Sequence, residues 1–382
     1  MRPIYLDYNA TTPLDPRVSE EISRLLREVY GNPSSSHSLG KEARKVIDSA
    51  RESVAGLIGA SSDEIIFTGG GTEASNQAIK APLLAGFQGF FGRFARRGHL
   101  IISAIEHPAT CQPAHFLKSL GFELTVVGVD GTGMVCPDDV KKAIQKNTRL
   151  ISIMHSNNEV GTLQPIREIG TIARERGILF HTDAAQSAGK KALDVRELTV
   201  DMMTLAGHKM YAPKGIGVLF KRKEIKLPPL IHGAGHEKEM RAGTENVPYI
   251  GGLGLACQLA QEGLAEEGPR LMDLRDSLWH FLKSRLGEKV VLNGHPTRRL
   301  PNTLNASFLG CKGWEILEKT PLVAASTGSA CHEENVTLSP VLCAMHADRS
   351  RSEGALRLTV GRFSTREEIA QAAEALIQTV TS

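Results

Sequence analysis

Seven short apolar runs, separated by stretches of helical periodicity, constrain this chain more than any other feature of its sequence. They are Ile65-Ile-Phe-Thr, Leu100-Ile-Ile-Ser, Leu124-Thr-Val-Val, Leu150-Ile-Ser-Ile-Met, Ile178-Leu-Phe-His, Met202-Met-Thr-Leu and Ile216-Gly-Val-Leu-Phe. Each is continuous rather than alternating, which argues for strands buried on both faces. Asp15 and Pro16 make an N-cap and first-turn pair, and Val18, Ile22, Leu25, Leu26 and Val29 follow at helical spacing. Val46, Ile47, Ala50, Val54 and Leu57 give a second helix. The pattern predicts an α/β fold: a large, mostly parallel mixed sheet covered by helices.

The pattern changes after about residue 255. Helical stretches near 256–287 precede strand-like segments at 290–293, 303–308 and 355–360, and Ser364-Thr-Arg-Glu-Glu opens a last helix with a capping-box pattern. A chain of 382 residues is too long for one compact core. The expected division is a large domain over 16–254 and a smaller α+β domain built from 1–15 and 255–382. The stretch 86–98 puts four Phe among Gly and Arg. It reads as a loop folded onto the body, with a partner-binding excursion as the alternative.

Hydrophobic residues are 41% and charged residues 23%, and the net charge of +3 is dispersed. That gives no support to nucleic-acid or membrane-surface binding. The N-terminus Met1-Arg-Pro-Ile-Tyr-Leu-Asp-Tyr turns polar at once, and no apolar run approaches the roughly 18–20 residues of a membrane span. A cytoplasmic location is expected. The six cysteines form no CxxC pair, so neither disulfides nor a zinc site is expected, and neither His107 nor His208 has HExxH-like spacing.

Chemistry concentrates where runs end. Lys209 lies in Gly207-His-Lys, 209 − 183 = 26 residues after Asp183, enough for one strand end, a crossover and the next. An amine and an acid at neighbouring strand ends suit pyridoxal phosphate: the lysine forms a Schiff base and the acid keeps the pyridine nitrogen protonated. A surface lysine is the bland alternative. Thr68-Gly-Gly-Gly-Thr-Glu joins a strand to a helix and fits a phosphate cup, or only a tight turn. His107, in Glu106-His-Pro, can stack on a flat ring and move protons, or merely cap a strand end. Asn157-Asn-Glu-Val-Gly offers amides to a ring oxygen or a carboxylate, or forms a turn. Cys331 sits among small and polar residues and reads as a nucleophile on a mobile, solvent-reachable loop. Arg357, in an apolar strand pattern, is a fork for a carboxylate or half of a structural ion pair.

Taken in order, Tyr5-Leu-Asp-Tyr-Asn-Ala-Thr-Thr-Pro, Gly31-Asn-Pro-Ser-Ser, Gly71-Thr-Glu, Glu106-His, Asn157-Asn-Glu-Val-Gly, His181-Thr-Asp-Ala-Ala-Gln, Gly207-His-Lys, Arg241-Ala-Gly-Thr-Glu-Asn, Leu300-Pro-Asn-Thr, Gly328-Ser-Ala-Cys and Arg357-Leu-Thr-Val-Gly-Arg span nearly the whole chain. In these motifs the chain resembles the cysteine desulfurases and selenocysteine lyases of the class V aminotransferase fold, in the subgroup with an extended cysteine loop. The resemblance implies a pyridoxal phosphate enzyme of fold type I, acting as a homodimer on L-cysteine and passing sulfur to an acceptor protein, as in iron–sulfur cluster assembly. L-selenocysteine is the alternative substrate.

The roles it implies are these. Lys209 is the Schiff-base lysine and proton carrier, Asp183 faces the pyridine nitrogen, and Gln186 the ring oxygen. His107 stacks on the ring. Gly71, Thr72 and His208 hold the phosphate, with Thr244 reaching in from the other subunit. Asn158 and Arg357 hold the substrate carboxylate, and Cys331 takes the sulfur as a persulfide. Three positions depart from the family pattern: Ala206 replaces a common serine, Gly233-Ala-Gly replaces three glycines, and His332-Glu-Glu-Asn after the cysteine is more like the selenocysteine lyases.

Overall fold

The protein is described by a computed structural model over residues 3–85, 98–327, 331–332, 335–336 and 338–382, with 331–332 and 335–336 as backbone only. In chain order the first elements are β1 (Ile4–Tyr5), α1 (Pro16–Glu28), α2 (Ser38–Ile58), β2 (Ile65–Thr68), α3 (Gly71–Leu84), β3 (His99–Ser103), α4 (Pro108–Ser119), β4 (Glu123–Val127), α5 (Pro137–Ala143), β5 (Thr148–Ser152), α6 (Ile166–Glu175), β6 (Leu179–Asp183), β7 (Met202–Ala206) and β8 (Gly217–Lys221). They are followed by α7 (Val247–Leu286), β9 (Val290–Asn293), β10 (Thr303–Phe308), α8 (Gly313–Lys319), β11 (Val323–Ala324), β12 (Cys331–His332), β13 (Asn335–Val336), α9 (Pro340–Ala344), α10 (Arg349–Glu353), β14 (Ala355–Thr359) and α11 (Arg366–Thr381).

The seven apolar runs are the seven strands of one sheet, in the order β2-β8-β7-β6-β5-β3-β4. Strand β8 runs antiparallel to β2 and β7, and the remaining pairs are parallel. Strands β2, β3 and β7 are buried at every position, as continuous apolar runs require. Strand β4 departs from that expectation. Among the described residues it has a neighbour on one side only, and Val126 is 46% exposed. An apolar run at a sheet edge looks in sequence like one at the centre.

In α1 the buried stripe is Val18, Ile22 and Leu25, while Leu26, also in the apolar pattern, turns outward at 61% exposure. Asp15 caps the helix by accepting from the Arg17 amide, as the Asp-Pro pair predicts. Helix α11 starts one residue later than its Ser364 would suggest: Thr365 is the N-cap, and Glu368 closes the capping box.

Helix α7 begins at Val247, well before the expected stretch near 256. Its first turns are rich in glycine, which lowers helix propensity. Packing explains the glycines. A Cβ on Gly252 would stand 2.6 Å from Ile22 Cγ1, and one on Gly254 would stand 2.6 Å from Ala50 Cβ. Helices α1 and α2 can approach only because those positions carry no side chain.

The front of α7, from Val247 to Ala260, buries its apolar side chains in the core of the sheet domain. Its back half buries Leu271, Leu274, Leu278, Leu282 and Leu286 in a second core with Leu304, Phe308, Leu356, Leu358 and Leu376. The division drawn at residue 254 falls within this helix, and we read the two cores as two units that share it. The smaller unit holds a three-stranded antiparallel sheet, β14-β10-β9, and β1 pairs in parallel with β11 beside it. No helix among the described residues is long and apolar enough to cross a membrane. Residues 86–97 of the Phe-rich stretch lie outside the described residues.

Candidate active site

Strands β3, β5, β6 and β7 are parallel, so their carboxyl ends share one edge of the sheet. Ligands in open α/β sheets gather at that edge, because loops and helix N-termini converge there. Here it opens into a cleft of about 340 Å³ lined by Gly71, Thr72, His107, Asn158, Asp183, Gln186, Ala206, His208, Lys209 and Arg357, with Asn9 and Ala10 on the facing side. Apart from Thr244 and Cys331, every residue singled out in the sequence as a site residue lines this cleft. Thr244 is exposed and lines no part of it. Cys331 has its backbone in β12, paired with β13, and its side chain lies outside the described residues.

Each wall has a local cause. Helix α3 begins at Gly71, and among the described residues no side chain caps it. Its first amide groups therefore stand free of side-chain acceptors at the positive end of a 14-residue helix. A Cβ on Gly71 would sit 3.0 Å from Ala206 Cβ, so the turn closes tightly onto the end of β7.

His107 caps α4 rather than a strand end. Its Nδ1 accepts from the Ala109 amide at 3.1 Å, which leaves Nε2 for other work. Burial lowers its pKa; Asp183 opposes that shift, and Lys209 adds to it. The two asparagines divide their work. Asn157 forms the turn, with its Oδ1 accepting from the Glu159 and Val160 amides at 2.8 and 2.9 Å, and Asn158 faces the cleft.

Asp183 ends β6 and is 8% exposed. Its Oδ1 accepts from the Ala185 amide at 2.9 Å, and among the described residues it forms no ion pair. Burial pushes its carboxyl above the usual carboxylate range. A buried acid in that state is a site for a cationic N–H. Gln186 donates to the Asn9 carbonyl at 2.9 Å, and its buried Oε1 has no partner among the described residues.

Lys209 Nζ donates to the carbonyls of Asn9 at 2.6 Å and Ala10 at 2.7 Å. Burial, then the charge of Arg357, brings its pKa down to about 8. Burial also brings His208 down to about 4, with Lys209 adding to the shift, so its imidazole is neutral near pH 7. Arg357 pairs with Asp7 at 2.8 Å, and its buried Nε has no partner among the described residues.

Several groups around the cleft had no role in the sequence reading. The Asn9 and Ala10 carbonyls, Thr11 (3.1 Å from His208 Nδ1) and Asp7 all belong to the quoted N-terminal motif. That motif was the available signal. Lys190 donates to the Gln186 carbonyl at 3.0 Å and the Lys209 carbonyl at 3.3 Å, and burial lowers it to about 7. Beneath His107, Glu106 accepts from Ser103 Oγ at 2.5 Å and the Met154 amide at 2.9 Å, and burial pushes it up to about 8. Among the described residues no group of acids, histidines and cysteines is placed to hold a metal ion.

These residues fit pyridoxal phosphate. There is an amine of lowered pKa, a buried acid, an amide oxygen with no partner among the described residues, and a helix start beside a glycine that no described side chain caps. Comparison with known proteins agrees. The chain matches the family described as Aminotransferase class-V over residues 4–371. It is 47% identical over 370 residues to the cysteine desulfurase IscS of Dictyoglomus turgidum, covering 96% of this chain and 92% of that one. A solved NifS-like protein superimposes with a TM-score of 0.91 at 34% identity, with all of both chains covered. The structure titled SspA in complex with cysteine superimposes with a TM-score of 0.82 at 35% identity, over 94% of this chain and 99% of that one. The chain therefore belongs to the class-V aminotransferase family of fold type I and, within it, to the cysteine desulfurases, which depend on pyridoxal phosphate.

Proposed function

We propose that this protein removes sulfur from L-cysteine, releases L-alanine and keeps the sulfur as a persulfide on Cys331 for delivery to an acceptor protein. The observation that carries this reading is the meeting of Lys209, Asp183 and Arg357 in one cleft at the carboxyl edge of the sheet. Lys209 would carry pyridoxal phosphate through its amine, with Asp183 at the pyridine nitrogen, Gln186 at the ring oxygen and His107 against the ring. Gly71, Thr72 and neutral His208 would donate to the phosphate, and Thr244 of a second copy would complete that cradle in a homodimer. When bound, the cofactor supplies an electron sink that acidifies the α-carbon of an amino acid.

The protein's own residues do the rest. Arg357 and Asn158 orient the amino-acid carboxylate. Lys209, with an amine lowered to about 8, is suited to take the α-proton near neutral pH. The thiolate of Cys331 then attacks the substrate sulfur. The Cβ–S bond breaks, an S–S bond forms, and a proton returned to Cβ completes alanine. Thiol and cysteine in give persulfide and alanine out, with no other oxidant or reductant. We assign the protein to the cytoplasm and to sulfur supply of the iron–sulfur kind. Nothing in the comparisons favours selenocysteine lyase over cysteine desulfurase.

The direct test supplies L-cysteine and L-selenocysteine side by side to the protein loaded with pyridoxal phosphate. Alanine should form from cysteine in a 1:1 ratio with sulfane sulfur. Alanine from selenocysteine alone would reverse the assignment.

The lowered pKa gives a second expectation. Only a neutral amine attacks an aldehyde, and an ordinary lysine is not half neutral until about pH 10.4. With Lys209 brought down to about 8, uptake of pyridoxal phosphate by the cofactor-free protein should rise with pH and level off just above 8. An uptake rate that climbs steadily to pH 10 would contradict the depressed value.

A further inference from the structure

Arg357 is held from three directions. Its backbone is fixed in β14, where its amide donates to the Ser326 carbonyl at 2.7 Å. Its Nη1 donates to the Asn158 carbonyl at 3.4 Å. Its Nη2 donates to Asp7 Oδ1 at 2.8 Å. The other carboxylate oxygen, Asp7 Oδ2, accepts from Ser326 Oγ at 2.9 Å. Asp7 is held in turn by its own backbone, which bridges to Thr359, two residues beyond Arg357 on the same strand. The result is a fixed carboxylate gripping one edge of a buried guanidinium, while the buried Nε has no partner among the described residues.

A long, flexible side chain at a cleft wall usually loses rotamer freedom when a ligand arrives, and that loss weakens binding. Here the loss is taken on folding. The Asp7 grip consumes one N–H of the fork and fixes the plane of the rest.

We propose that Asp7 is a positioning residue for the substrate. By holding Nη2 of Arg357 it aims the remaining guanidinium N–H groups at the amino-acid carboxylate, so it sets affinity for the amino acid and leaves the chemical step alone. This rests on the reading of Arg357 as the carboxylate fork, and the test separates the two.

The sign follows from what each substitution removes. Asp7→Ala removes the grip and lets the guanidinium swing. Asp7→Asn keeps an oxygen for Nη2 and a polar group for Ser326, and it removes a negative charge that repels the incoming carboxylate. Affinity should therefore order as Asp7→Asn equal to or tighter than the parent, and the parent tighter than Asp7→Ala.

The experiment uses the loaded homodimer and two readouts: kcat and KM for L-cysteine, and the dissociation constant of the product L-alanine from the absorbance change on binding. In Asp7→Ala, KM and the alanine dissociation constant should each rise about tenfold, as for loss of one oriented charge-assisted hydrogen bond. The kcat should stay within about twofold, because Asp7 is assigned no part in the chemical step. Asp7→Asn should stay within about threefold of the parent or bind more tightly.

Arg357→Leu separates the readings. If it binds alanine as well as the parent does, the fork assignment fails and this proposal with it. If Arg357→Leu loses alanine while Asp7→Ala binds it normally, the fork stands and the proposal alone is overturned. A fall in kcat as large as the fall in kcat/KM for Asp7→Ala would also overturn it.

Discussion

Replacing Lys209 with alanine should leave a folded protein that shows no visible absorption from lysine-bound pyridoxal phosphate and forms no measurable alanine from cysteine. The fold should survive because the lost group is an amine whose charge is disfavoured by burial, so its removal leaves no unpaired buried charge. The cost is confined to the Asn9 and Ala10 carbonyls, which lose their Nζ donor at 2.6 and 2.7 Å beside a cleft that admits water. The catalytic loss should be large because, in the proposed function, one atom would both hold the cofactor and move the proton. Loss of the proton transfer alone is worth roughly 10²–10⁴ in rate. Melting temperature, absorbance and alanine release check the three parts separately. A visible band that survives the substitution would point to Lys190. That second buried amine is lowered to about 7 and lies 3.3 Å from the Lys209 carbonyl.

The strands were legible because each central run is buried on both faces and so carries no polar alternation. Residues 99–103 and 202–206 are buried throughout. The same logic misjudged β4, since an edge position is a property of the neighbours and leaves little trace in the run itself. The front of α7 was hidden for a related reason. Its glycines are there for Ile22 and Ala50, more than 200 residues earlier in the chain, and local propensity cannot register such partners.

The site divides along the same line. Lys209, Asp183 and His107 could be read because each puts an ionisable side chain at the end of an apolar run, and parallel strands bring such ends together. The facing wall could not be read that way. Asn9 and Ala10 act through backbone carbonyls, which have no residue signature, and they meet Lys209 across 200 and 199 positions. Asp7 reaches Arg357 across 350 positions. In sequence it is one aspartate near a terminus, and its meaning comes only from the β1 segment lying against the smaller unit.

Replacing Cys331 with serine should leave cofactor binding intact and stop sulfur transfer. A serine hydroxyl stays protonated near neutral pH and forms no persulfide, so alanine formation should fall on the order of 10³-fold or more. Alkylation of the parent after a pulse of cysteine, followed by peptide mass measurement, should find the extra sulfur on Cys331 and nowhere else. The other thiols differ in their fitness to substitute. Burial pushes Cys257 up to about 12, and it raises Cys111 as well, with Glu106 adding to the effect, so neither offers a thiolate. Cys343 is exposed in α9, 343 − 331 = 12 positions further on. If Cys331→Ser still releases alanine at the normal rate, Cys343 is the first thiol to suspect. Cys331→Ser combined with Cys343→Ser should then abolish turnover; if it does not, the exposed Cys136 and the half-buried Cys311 are the thiols left to test.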